Sequence, residues 1–243
     1  MNIERMDTWT LFNEQTPTQQ IAVGVMLAAL YAVSIMIPIS GFIAAAGFVS
    51  TISLSICIAP LFGVFLGPYR GAAFGLIAGL LATMVSAAFG SLYLIVPTII
   101  FGPAIAGLLT GFIVEQRNET WLATIWFLVV VVLYWAVNFQ TWWFVTPYML
   151  AAVVAPIIPI SGLRYDMERK GVWRFLQYVP LMLVGTIADF SPMTIGAVYI
   201  LNIPADIFGF VIFPVMLLER ALATIIASVL AFVIASTFQE LHK

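Results

Sequence analysis

An all-α, polytopic membrane protein, a bundle of about eight transmembrane helices, is the fold this sequence predicts, and three observations carry the prediction. Of its 243 residues, 63% are hydrophobic and 8% charged, whereas a soluble domain carries about 25% charged residues. The apolar residues recur in runs near the length of about 20 that a helix needs to cross the hydrocarbon core. The lysines and arginines lie in alternate connections between those runs, so that threading the chain through a bilayer gathers them on one side.

Composition also excludes several classes. The single Cys57 rules out an internal disulfide and CxxC chemistry. The only histidine is His242, so no buried imidazole is on hand for a metal or for proton transfer, and neither metal nor cofactor is expected. A formal net charge of −2 gives no footprint for nucleic acid. The only lysines, Lys170 and Lys243, end no GxxxxGK run, and no GxSxG or HExxH is present. Binding or transport is expected rather than catalysis.

Residues 1–20 precede the first apolar run, are mildly acidic and lack the basic start of a cleaved signal. They are expected to form a cytoplasmic segment, either a tail or an interfacial helix through Met6, Trp9, Leu11 and Phe12. Residues 21–238 read as one transmembrane domain and 239–243 as a short cytoplasmic tail. Spans are predicted at Ile21–Ile39, Thr51–Leu66, Pro68–Ala88, Tyr93–Val114, Trp121–Phe139, Phe144–Ile160, Leu176–Leu201 and Pro214–Phe238. Pro68 suits a first helical position, where its missing N–H would have had no partner anyway. The stretch NIPADIFGFVIF (202–213) is broken by Pro204 and reads as a connection at one surface or a re-entrant turn.

With eight spans and a cytoplasmic N-terminus, Arg5, Arg70, Arg117, Arg164, Arg169, Lys170, Arg174 and Lys243 all fall on the cytoplasmic side. The opposite loops, near 40–50, 90–92, 140–143 and 202–213, contain no lysine or arginine. Both termini are therefore expected in the cytoplasm, in a cell-membrane protein.

The run LGPYRGAAFGLIAGLL places glycine at 67, 71, 75 and 79. Residues four apart lie almost above one another on a helix, so these four form a smooth groove of the small-xxx-small kind that lets membrane helices approach closely. The first span repeats it with Gly24, Ala28 and Ala32, and the fourth with Gly102, Ala106 and Thr110. Such a groove either packs inside the protein or docks another membrane protein. Internal packing is expected of the third span.

Ionisable residues within the membrane are costly and mark function by default. Three remain once the loops are set aside: Asp189, Glu219 and Arg220. Asp189 lies mid-span in GTIADFSPMTIG, where Pro192 cannot donate to the carbonyl of Ala188, so the helix is expected to kink or open beside the carboxylate. Asp189 then contacts a ligand, or else pairs internally with Arg220. Glu219 and Arg220 follow Pro214 closely and so are expected in the outer third of the last span. The hairpin NFQTWWFVTPY (138–148) brings Trp142 and Trp143 together with Asn138. It reads either as an interfacial aromatic belt or as a lid stacking on a planar ligand.

Four stretches resemble, in order, the substrate-binding S components of energy-coupling factor transporters: QQIAVGVMLAALYAV, APLFGVFLGPYRGAAFGLIAGLLA, FGPAIAGLLTGFIVEQR and FPVMLLERALATIIASVLAF. The resemblance covers about half the chain. It implies a six-helix core in which 121–163 stands as an extra hairpin, and a membrane-embedded binding subunit of an importer for a vitamin or other small water-soluble compound. It also implies docking, through a first-span surface that includes Gly24, Ala28 and Ala32, on a transmembrane T component driven by two ATPase subunits. Two other classes fit the same residues. One is a stand-alone secondary transporter with Asp189 or Glu219 carrying a proton; the other is an intramembrane lipid-modifying enzyme using both carboxylates.

Overall fold

The computed structural model describes residues 16–37, 53–89, 97–115, 118–160 and 172–241, all helices and short connections. The segment 1–15, the loops near 40–50 and 90–92 and the basic stretch 164–170 lie outside the described residues. Helix α1 (Pro17–Ser34) starts ahead of the predicted Ile21 because Thr16 caps it. The Thr16 hydroxyl accepts from the Gln19 N–H and Gln19 Oε1 accepts from the Thr16 N–H, a reciprocal pair that satisfies two otherwise orphaned donors. A 3-10 turn, Leu54–Cys57, leads into α2 (Ala59–Leu66), and Gly67 turns the chain into α3 (Pro68–Ala88). Gly67 has φ 75°, a conformation that glycine adopts without steric cost.

A second 3-10 turn, Pro97–Phe101, opens α4 (Gly102–Val114). Then come α5 (Trp121–Asn138), a 3-10 stretch Phe139–Val145, α6 (Thr146–Ile160), the short α7 (Val172–Leu176) and α8 (Tyr178–Tyr199). A π-helical turn, Ile207–Ile212, runs directly into α9 (Phe213–Leu241). The expected connection at 202–213 is therefore corrected: its second half belongs to the last helix.

Among the described residues, five helical stretches are long and apolar enough to cross a membrane: Pro17–Ser34, Pro68–Ala88, Trp121–Pro159, Tyr178–Tyr199 and Ile207–Thr237. Leu54–Leu66 and Thr98–Val114 are apolar but shorter. The 39 residues of Trp121–Pro159 would extend about 58 Å if straight, roughly twice the hydrocarbon thickness. They fold back instead. Asn138 (φ −119°, ψ 40°) and Thr141 (φ −114°, ψ 49°) leave the helical region, and the Thr124 hydroxyl on α5 donates to the Ala152 carbonyl on α6 at 3.0 Å. Residues 121–160 thus form a helical hairpin.

Lipid is as apolar as leucine, so close packing rather than water exclusion holds membrane helices together. Helices α2, α3 and α4 meet glycine to backbone. A methyl on Gly71 would stand 2.8 Å from the Phe62 carbonyl oxygen on α2, and one on Gly75 would stand 2.8 Å from the Ala104 nitrogen on α4. From the other side, a methyl on Gly107 would stand 2.7 Å from the Gly71 carbonyl oxygen. The third-span groove packs internally, as expected. Gly67, the first of its four glycines, serves the turn instead.

One end of the bundle gathers Gln20, which accepts a hydrogen bond from Arg70, with Pro68 against Gly111 and Thr120 donating to the Phe112 carbonyl. At the opposite end the Leu54 N–H donates to the Ile37 carbonyl, and Trp143 donates to the Gly209 carbonyl. Helix α8 runs through the centre, enclosed by α4, α5, α6 and α9.

Candidate functional site

Asp189 is the twelfth of the 22 residues of α8, half-way along the central helix. Arg220 is the fourteenth of the 31 residues of Ile207–Thr237, about 20 Å from its start by the helical rise. Both therefore lie about half-way along their helices. Arg220 stands further from the start of the last helix than its distance from Pro214 suggests, because the π-helical turn extends that helix ahead of Pro214.

The two charges meet. Arg220 Nη1 stands 3.8 Å from Asp189 Oδ2 and donates to the Thr186 carbonyl at 2.9 Å. Its guanidinium lies over the Phe190 ring, 4.6 Å from the centroid, an arrangement favoured by the negative face of the ring. Asp189 is 8% exposed and Arg220 and Glu219 are each 5% exposed. The Thr186 and Thr224 hydroxyls bridge α8 and α9 at 3.2 Å, and Thr224 donates to the Arg220 carbonyl. Buried Cys57 and Tyr148 lie within electrostatic reach of Arg220.

Asp189 also touches the start of α4. A methyl on Gly102 would stand 2.8 Å from Asp189 Oδ1 and 2.7 Å from the Asp189 carbonyl oxygen, so only glycine admits the carboxylate there. The carboxylate thus has a guanidinium on one side and the backbone of Gly102 packed on the other.

Helix α8 stays helical through Pro192, contrary to the expected opening. The carbonyl of Ala188, deprived of its usual donor, accepts from the Ser191 hydroxyl at 2.7 Å. Ser191 in turn accepts from Trp126 Nε1 at 2.8 Å, and Thr98 donates to the Pro192 carbonyl at 2.6 Å. Side chains from the turn before α4 and from α5 therefore satisfy the polar groups around Pro192.

The 138–148 hairpin lies elsewhere. Trp142 is 54% exposed, while Trp143 packs edge-on to Phe210 and donates to the Gly209 carbonyl. Phe144 stacks on Tyr134 at 4.8 Å and meets Phe208 at 5.0 Å. Asn138 is buried, its Nδ2 without an acceptor among the described residues. Among the described residues, the contacts of this tip run to Phe208, Gly209, Phe210 and Phe213, not to Asp189 or Arg220. Tyr148 stands between, its hydroxyl 2.6 Å from that of Thr194.

The first-span stripe is turned inward as well. Gly24, Ala28 and Ala32 are buried in this chain, where α1 packs on α2 and α3, and a methyl on Gly24 would stand 2.6 Å from the Phe74 ring. The open side of α1 carries Val25, Met26, Leu30 and Val33. Gly102 and Phe190 are the parts of the charged cluster that sequence reasoning missed as such. A glycine opening a helix and a phenylalanine beside the aspartate were the available signals.

Fold and site together define a multi-pass helical membrane protein whose interior holds a buried carboxylate–guanidinium pair about half-way along two packed helices. Comparison with known proteins finds no significant match to a family model, a curated protein or a solved structure.

Proposed function

We propose that this protein is the membrane-embedded, substrate-binding subunit of an importer of the energy-coupling factor type, serving a vitamin or another small water-soluble compound. One observation carries the reading. Asp189 and Arg220 lie 3.8 Å apart and buried, half-way along the central helix and well inside the last one, with Gly102 packed against the Asp189 carboxylate. Ionisable groups enclosed within a membrane bundle are costly and mark ligand or ion sites by default. The ordered resemblance of four segments to S components supports the particular class, as does the lack of any P-loop for this chain's own ATP hydrolysis.

In this reading the end bearing Arg70 faces the cytoplasm, as the positive-inside rule requires, and ligand reaches Asp189 and Arg220 from the opposite face. Energy comes from two ATPase subunits through a T component. Docking through Gly24, Ala28 and Ala32 requires α1 to part from α3, because that stripe is covered here.

Affinity purification from native membranes is the direct test: a T component and ATPases should be retained, and a small molecule should be released on denaturation. Reconstitution separates the second reading, a proton-coupled carrier, which the buried Asp189–Arg220 pair also suits. If the purified protein alone moves substrate into liposomes along a proton gradient, the importer-subunit proposal fails.

A further inference from the structure

Among the described residues, Arg220 is a charged group whose buried donors do not close on their neighbours. Its Nη1 donates to the Thr186 carbonyl at 2.9 Å, but the nearest Asp189 oxygen is 3.8 Å away, beyond hydrogen-bonding distance. Its Nε is buried and has no acceptor among the described residues. A charged donor left open inside a protein is costly, and such a group calls for an explanation in function.

Its chemistry and its shape narrow what completes it. The Asp189 carboxylate is packed against Gly102, away from the Arg220 Nε. Glu219, the next residue along the helix from Arg220, projects about 100° away around the axis. Phe190 supports the guanidinium from one side, which leaves its edge for a ligand. The Nε–H edge of a guanidinium belongs to the fork that meets a carboxylate with two parallel hydrogen bonds, a geometry that lysine cannot reproduce.

Resting on the binding role proposed above, we infer that the compound carried by this protein bears a carboxylate and that Arg220 receives it through this open edge. The test uses the full-length protein in detergent, with thermal unfolding as the readout. The probes are matched acid and amide pairs at millimolar concentration: benzoate and benzamide, pyridine-3-carboxylate and its amide, and the common amino acids with their amides. At least one free acid should raise the unfolding temperature while its amide does not. Arg220→Lys keeps the buried positive charge beside Asp189 but loses the fork, so it should fold and bind that acid roughly tenfold or more weakly. Arg220→Gln should bind none. An amide that stabilises as well as its acid overturns the carboxylate assignment and leaves the binding role standing. Undiminished acid binding in Arg220→Lys overturns the role given to Arg220. A protein that responds to no member of either set overturns both this inference and the reading beneath it.

Discussion

Ser191 does at residue scale what the backbone of α8 cannot do at Pro192. Its hydroxyl donates to the stranded Ala188 carbonyl and accepts from Trp126. Ser191→Ala removes both partners at once in a buried site, so a loss of about 1–3 kcal/mol is expected. Unfolding in detergent checks this, and Ser191→Thr, which keeps the hydroxyl, should recover part of the loss. Asp189→Asn makes a sharper demand. With Arg220 5% exposed and Asp189 its nearby carboxylate, the change strands a buried cation and should lower stability by roughly 3 kcal/mol. An unchanged unfolding temperature for Asp189→Asn would show that the pair contributes nothing to the fold. The meeting of Asp189 with Arg220 was legible in the sequence as one of two alternatives, since few charges were on hand to satisfy each other. That the helix stays closed around Pro192 was not legible, because it depends on a hydroxyl one residue before the proline and on an indole from another helix.

At the scale of elements, the small-residue stripes explain which helices touch. Each glycine in a helix interior costs about 1 kcal/mol against alanine, and in α3 the return is backbone contact with α2 and α4. Gly75 faces the backbone of Pro103 and Ala104, so Gly75→Ala should already destabilise by about 1–3 kcal/mol and Gly75→Leu should prevent the three helices from assembling. Fluorescence-detected chromatography of the detergent extract would show the latter as aggregate. The first-span stripe now carries a different expectation. Because Ala28 is 2% exposed against the chain's own helices, Ala28→Trp should lower the unfolding temperature of the isolated protein. If Ala28→Trp leaves that temperature unchanged and abolishes only co-purification of a partner, α1 parts from α3 readily and the docking proposal gains its strongest support. The sequence pattern of Gly24, Ala28 and Ala32 is the same for either use, so periodicity alone cannot say whether a stripe meets its own chain or another.

The whole molecule is oriented by charge. Arg70 meets Gln20 at one end, while the tip with Trp142 lies at the other. Single cysteines in a Cys57→Ala background should therefore label from opposite sides. Tyr69→Cys, at a position 62% exposed, should react only when a reagent reaches the cytoplasm, and Trp142→Cys should react with a reagent confined outside. Labelling of Tyr69→Cys from outside would invert the topology and with it the face from which ligand reaches Arg220.

What the sequence determined by itself was the solvent, the helical class, the places of the helical segments and the few charges that had to be accommodated inside. These follow from local composition, because a bilayer obliges every apolar run to satisfy its backbone within a helix. The tertiary structure decided which face of each helix is enclosed, how far along its helix Arg220 lies and where the tryptophans point. Leu27 and Leu30 show why: neighbours on α1 with the same side chain, they are 1% and 45% exposed. In water that difference would be written into the pattern as a polar face opposite an apolar one. In lipid both faces are apolar, and only the fit of one helix against another tells them apart.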